Sequence, residues 1–415
     1  MARWSMIAAM AVAGLGASAA AAATPKAAPD WIPTWFASPA PADKVATLTD
    51  KTVRQVVHIA AGGRRLRIRL SNAYGATPLR IDAVRLGLRG VADAVRPGSN
   101  RMVRFQGHGD VTIAPGAFVE SDPVDLAVAA QADLAISLHV ASAQAATVHV
   151  VQRDAVYVAD GDQTDSPSLT TSSLAALGAS PTGQSILWLS EVEVSGSPAR
   201  GVVAAFGDSI TDGVGPPPGS DATWPDVLEG RLLAAGVRLG MFNAGIGGNR
   251  LLHAGSWAPF GPAALARFDA DVLAQPHVKA VIVLIGINDI GQPGQSAPAG
   301  EAVSAQAIED GLCQLAERAH EKGLKIYAAT LTPFKITTIA GYYSPEKEAE
   351  RQAVNTWIRA SRAFDGVVDF DKAMEDPAAP GQMRPAYDSG DHLHPSAAGD
   401  RALGEAVPLR WFGVK

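Results

Sequence analysis

The chain has 415 residues, 47% of them hydrophobic and 18% charged, which is too long for one ordinary domain and too apolar for a disordered chain. Its formal net charge is −6, with 35 Lys+Arg against 41 Asp+Glu. Neither half carries a dense basic face, which argues against nucleic acid or an anionic membrane surface as a partner. A single cysteine, Cys313, rules out an intrachain disulfide. It falls in a helical pattern and reads as a small buried apolar residue.

The N-terminus reads as a secretory signal over residues 1–23. Arg3 supplies the positive start, residues 6–15 are apolar, and Ala21-Ala22-Ala23 offers a small-residue cleavage site. The expected mature protein is secreted or periplasmic, without stable membrane insertion once the signal is cleaved. No other apolar run is comparable.

From about residue 30 to 198 the pattern is short strands set off by turn residues. Residues 53–59, 65–70, 79–81, 84–86, 102–105, 134–140, 147–151 and 186–189 alternate or run apolar. Gly62-Gly63, Asn72, Pro97-Gly98, Pro115-Gly116 and Asp122-Pro123 punctuate them. This spacing predicts an antiparallel β-sandwich, jelly-roll-like, as an accessory domain. Residues 170–184 read as a loop and 195–200 as a linker.

From residue 200 to 415 the regime changes. Apolar strands at 202–206, 238–242, 280–285, 325–331 and 367–370 alternate with helical patterns at 224–235, 262–275, 302–322, 345–364 and 396–411. Such alternation predicts an α/β domain with a parallel sheet covered on both faces. Two long connections, 213–223 and 332–344, are of a length that often borders a site.

Ligands of open parallel sheets gather at the carboxyl ends of the strands. The segments there are Gly207-Asp208-Ser209-Ile210, Asn243-Ala244-Gly245-Ile246-Gly247-Gly248, Gly286-Ile287-Asn288-Asp289 and, before the last helix, Asp391-His392-Leu393-His394-Pro395. Together they bring a hydroxyl, Gly-rich backbone, a side-chain amide, a carboxylate and an imidazole to one rim. Acyl transfer requires that set.

In these four blocks, in this order, the sequence from residue 202 onward resembles the SGNH/GDSL family of serine esterases and acylhydrolases. The β-rich N-terminal half, with Trp35-Phe36-Ala37-Ser38-Pro39 and Gln55-Val56-Val57-His58, is similar to the lead domain of a bacterial secreted two-domain subgroup of lysophospholipase-like and xylan-esterase-like proteins. The resemblance implies a flavodoxin-like three-layer catalytic fold. It implies Ser209 as nucleophile, His394 as base and Asp391 as the residue orienting it. The implied oxyanion donors are the backbone N–H groups of Ser209 and Gly248 and the side-chain amide of Asn288. It implies no cofactor.

The residues alone leave rivals. His392 competes with His394, and Asp388 with Asp391. Asp391, His392 and His394 also resemble a metal-ligand set, but no further ligands accompany them, so no metal is expected. Arg250 and Asp289 read equally as site or scaffold. Trp224, Tyr342, Tyr343 and Tyr387 read equally as substrate face or packing. The expected substrate is a small-molecule or polysaccharide ester, preferably a short acyl group such as acetate. A lysophospholipid-type ester is the alternative, and a non-catalytic carbohydrate-binding protein the rival of another class.

Overall fold

The computed structural model describes residues 30–150, 155–170, 185–217 and 219–414. The expected signal segment and nearly all of the expected loop at 170–184 lie outside them. Before residue 200 every strand pairing is antiparallel. One sheet runs Ile32–Phe36, Leu189–Ser195, Gly63–Ser71, Phe118–Glu120, with Val124–Val128 also on Gly63–Ser71. A second runs Ala155–Asp160, Ala40–Ile59, Ala132–Val150, Ala83–Leu88, Arg101–Met102. Ser185–Leu187 adds to the far end of Ala132–Val150.

Two of these strands are longer than the sequence suggests. Ala40–Ile59 and Ala132–Val150 pair along nearly their whole length, from Ile59 opposite Ala132 to Ala40 opposite Val148. The sequence shows only the inner segments, 53–59, 134–140 and 147–151. Much of the outer half is exposed on both faces, so no apolar alternation marks it. Its order comes from ladder hydrogen bonds, which leave no signature in side-chain pattern. The expected strand at 102–105 shrinks to Arg101–Met102, followed by an isolated bridge between Phe105 and His108.

After residue 200 all sheet pairing is parallel. The order is Gly240–Gly245, Val202–Gly207, Val278–Leu284, Lys325–Ala329, Gly366–Val368. In chain order this is 2-1-3-4-5, a doubly wound sheet whose ligand crevice lies where the winding reverses, beside its first and third strands. Val202 through Phe206 are completely buried, as expected of a strand covered on both faces.

The major helices begin at side-chain caps, which satisfy backbone donors that no helical turn can reach. Thr223 and Asp226 form a reciprocal capping box at Trp224–Ala234. Ser304, Ser344 and Ser396 cap Ala305–Glu321, Pro345–Ala360 and Ala397–Ala406. Pro408 ends the last helix earlier than its apolar pattern suggests, and a 3-10 turn, Leu409–Phe412, follows. The pattern at 262–275 is broken into a short α-turn, Ala264–Phe268, and a π-turn, Asp269–Leu273. Arg267 and Asp271 in these turns are both buried and paired. Cys313 is half-buried, more open than expected.

The antiparallel part packs on the edge of the parallel sheet. A Cβ on Gly240 would lie 3.4 Å from the Cβ of Ala61 and 3.6 Å from the Pro33 carbonyl oxygen. The rings of Phe36 and Phe242 stand 5.4 Å apart.

Candidate active site

The first parallel strand ends at Gly207, where there is no room for a side chain: a Cβ would sit 2.3 Å from the Thr211 Oγ1. The chain then turns sharply into Ser209–Asp212. Asp208 caps this turn, its carboxylate accepting the Ile210 N–H at 3.0 Å. Burial pushes the Asp208 carboxyl up to about 7, against the pull of the Ile210 N–H. Ser209 thereby stands at the crevice, 7% exposed.

The segment before the last helix carries the imidazole. The Ser209 Oγ lies 2.9 Å from His394 Nε2. On the other side of the ring, His394 Nδ1 lies 2.5 Å from Asp391 Oδ2. The second Asp391 oxygen accepts the backbone N–H of Leu393 at 2.9 Å and of His394 at 2.8 Å. Burial would raise the Asp391 carboxyl, but the His394 ring and these two N–H groups outweigh it and hold the carboxyl well below its usual range. An ionised Asp391 accepts from Nδ1–H, which leaves Nε2 as the acceptor of the Ser209 hydroxyl.

The neighbouring pair sorts differently. His392 Nδ1 bonds the Asp388 carboxylate, which also accepts the N–H groups of Gly390 at 2.8 Å and His392 at 3.0 Å. Asp388 and His392 thus tie up the loop, while Asp391 and His394 face Ser209. Among the described residues, Asp391, His392 and His394 do not converge as a metal-ligand group.

Gly248 and Asn288 line the same cavity as Ser209 and His394, together with Gly247. Gly248 has φ 71°, and a Cβ there would meet the Phe260 ring at 2.4 Å. The Asn288 amide is aimed by its neighbours. Its oxygen accepts from the Tyr342 hydroxyl at 2.8 Å and from Gln292 Nε2 at 3.1 Å. Its Nδ2 donates one hydrogen to the Asn249 carbonyl at 3.0 Å. An amide nitrogen carries two hydrogens, so one remains for a ligand.

The cavity measures about 350 Å³. Trp257, Phe260, Ile339, Tyr342 and Leu393 give it an apolar wall, with Gln292, Gln295 and Ser296 among the polar groups. Tyr342 is therefore part of the site. Trp224 is fully buried against Phe370, and Tyr343 packs on Phe334. Tyr387 stands half-buried beside Arg384. Asp289 accepts the N–H groups of Leu251 and Leu252, and burial pushes its carboxyl up to about 6. Arg250 binds Glu301 and the Ala254 carbonyl. Both hold loops in place.

Two supports were not legible in the sequence. Arg267 is buried and donates to the carbonyls of Gly207 and Ala244, each at 2.7 Å, and to Asn249 Oδ1 at 2.9 Å. It thus clamps the ends of two strands that carry the site. His149, from the antiparallel part, is 2% exposed. Its Nδ1 lies 2.9 Å from the Ser38 carbonyl and its Nε2 3.0 Å from Asp212 Oδ1. Asp212 closes the turn that begins with Ser209 and lines the cavity. The His149→Ala variant is expected to lose roughly ten- to a hundredfold in kcat toward p-nitrophenyl acetate with KM little changed, because a misplaced nucleophile costs rate more than binding. A fall in melting temperature with kcat intact would reduce His149 to a packing role.

A serine hydroxyl hydrogen-bonded to an imidazole nitrogen, beside amide donors at the crevice of a doubly wound sheet, is equipment for acyl transfer. It places the chain among the carboxylic-ester hydrolases. Residues 205–402 match the family of GDSL-like lipases and acylhydrolases. Similar solved structures include a variant of an acetyl xylan esterase from Geobacillus stearothermophilus, 23% identical over 52% of this chain and 96% of its own, with a TM-score of 0.40. Another is the lipase/acylhydrolase from Enterococcus faecalis, 21% identical over 51% of this chain and 96% of its own, also at 0.40. No curated protein matches.

Proposed function

We propose that this protein is an exported serine esterase that removes short acyl groups, acetate first, from the hydroxyls of a polysaccharide or oligosaccharide. The observation that carries the reading is the 2.9 Å contact between Ser209 Oγ and His394 Nε2. The Ser209 oxygen attacks the ester carbonyl carbon as its proton passes to His394 Nε2. The carbonyl oxygen becomes an oxyanion, met by the N–H groups of Ser209 and Gly248 and the free Asn288 amide hydrogen. The tetrahedral adduct collapses, the carbon–alkoxy bond breaks, and His394 returns the proton to the leaving alcohol. Water then attacks the acyl-enzyme with His394 again as base, releasing the acid and regenerating Ser209. Asp391 keeps the ring in the working tautomer and stabilises the imidazolium.

The preference for sugar esters is supported by the resemblance to xylan-esterase-like proteins and by Gln295 and Ser296 at the cavity. Export is supported by Arg3, the apolar run that follows it and the small residues ending at Ala23. The N-terminal β-rich half would serve as an accessory domain holding the glycan and bracing Asp212. No helix among the described residues is long and apolar enough to cross a membrane.

A second reading has its own support. The cavity has more room than an acetyl group fills, and Trp257 and Phe260 form an aromatic wall with centroids 5.3 Å apart. That suits a longer acyl or aryl ester, as in a lipase- or lysophospholipase-type acylhydrolase. A series of p-nitrophenyl esters from C2 to C12, run beside acetylated xylan, separates the two. The first reading expects a maximum at C2 and acetate released from xylan. A maximum at long chains with no acetate released would overturn it in favour of the second.

A further inference from the structure

Away from the Ser209 cavity, three side chains converge where the antiparallel part meets the parallel one, and a fourth, Glu229, lies in their field. His58, near the end of Ala40–Ile59, sits directly opposite Asp133 on Ala132–Val150. Its Nδ1 lies 2.8 Å from Asp133 Oδ1 and 3.4 Å from Asp221 Oδ2. Asp221 comes from the long connection that leads into the helix Trp224–Ala234. One ligand atom from each of these three residues lies within 4.8 Å of the others. Among the described residues this is the one such group of histidine and acidic side chains.

A cluster of acids alone is only a charged surface. The second observation comes from the fourth residue. Glu229, on the helix Trp224–Ala234, is 7% exposed, and its Oε1 has no hydrogen-bond partner. Its charged neighbours are Asp226, His58 and Asp221. Asp226 is already engaged by Thr223 in the capping box, and the other Asp133 oxygen by Arg89. A buried carboxylate oxygen left unpaired is costly, and such groups are normally neutralised by a partner or a metal.

We propose that His58, Asp133 and Asp221 form a binding site for a divalent transition-metal cation, zinc for preference, that ties the two parts of the chain together, with the buried Glu229 supplying negative charge beside it. One imidazole nitrogen and carboxylate oxygens are zinc donors. Ligand atoms around a tetrahedral zinc stand about 3.3 Å apart, given bonds of roughly 2.0–2.1 Å. The Asp221 separation already matches this. The Asp133 separation opens by about half an ångström as zinc displaces the His58 Nδ1 proton to solvent, and carboxylates of modest exposure allow that. The site shares no residue with the Ser209 cavity, so its role is structural: it closes a loop between a strand pair and a helix far apart in sequence.

Calorimetric titration of the EDTA-treated full chain with zinc chloride tests this, with manganese and calcium chlorides as further arms. The expected result is one saturable zinc site per chain, tighter than for calcium, and a melting temperature that rises with zinc. Asp221→Asn, a change at a half-exposed loop residue, and Glu229→Gln should each weaken zinc binding at least tenfold. Near-UV circular dichroism should show both variants folded. Absence of a saturable site in the wild-type chain, or wild-type affinity in either variant, would overturn the assignment.

Discussion

Replacing His394 with alanine is expected to lower kcat by about ten-thousandfold or more, with the melting temperature nearly unchanged. Removal of the base from a serine triad has effects of that order, because nucleophile and base act as a unit. Among the described residues, the imidazole is the group hydrogen-bonded to Ser209 Oγ that can take its proton, at 2.9 Å. The variant that gives this result meaning is His392→Ala. His392 sits two residues away but bonds Asp388, not Asp391 or Ser209. It is partly exposed and its bond to Asp388 stays within its own loop, so its loss should change kcat by a factor of about five at most. Steady-state rates with p-nitrophenyl acetate separate the two. If His392→Ala proves the dead variant, the base has been assigned to the wrong ring.

The second large effect is expected at Asn288. Asn288→Ala should cost roughly a hundred- to a thousandfold in kcat, about 3–4 kcal/mol of transition-state stabilisation, with little change in KM. The reason is geometric. Tyr342 and Gln292 hold the amide oxygen, and Asn249 takes one amide hydrogen, so the other is preset for an oxygen that becomes negative only in the transition state. The alanine variant also takes from the Tyr342 hydroxyl its nearer acceptor, leaving the Ile287 carbonyl at 3.3 Å, which lowers stability. Asn288→Asp separates these consequences. It keeps an acceptor for Tyr342 yet removes the donor and brings a negative charge to the oxyanion. Its kcat should fall at least as far as in Asn288→Ala, with a smaller loss in melting temperature. A variant that keeps wild-type kcat would remove Asn288 from the machinery.

The α/β half was legible because its strands are largely apolar and its four longer helices start at caps the sequence displays, such as Ser304 or Ser344. The site was legible for a related reason. Strand ends deliver their next few residues to one rim, so Ser209, Gly248, Asn288 and His394 can be gathered without knowing a distance. The residues alone left His392 open beside His394, and only the family resemblance named His394. Both lie in one turn beside an aspartate, and only the backbone path, with His392 at φ 59°, shows which ring faces the serine.

The other omissions share a cause. His149 meets Asp212 across 63 residues, from the other part of the chain. His58 meets Asp133 across 75. No periodicity or motif links such residues, since each belongs to a different element and their approach is set by how the two parts dock. Arg267 was hidden differently. A lone arginine in an apolar helical stretch looks like a surface residue, yet it is buried against Phe206, with its guanidinium carbon 4.2 Å from the ring centroid, and binds three backbone or side-chain oxygens at strand ends.

The central claim is that the Ser209 hydroxyl carries the acyl group. Reaction of the full chain with a fluorophosphonate, followed by peptide mass spectrometry, addresses it directly. The account expects one adduct per chain on the peptide containing Ser209, none in Ser209→Ala, and greatly slowed labelling in His394→Ala. An adduct on a different serine, or ester turnover by Ser209→Ala at the wild-type rate, would contradict it.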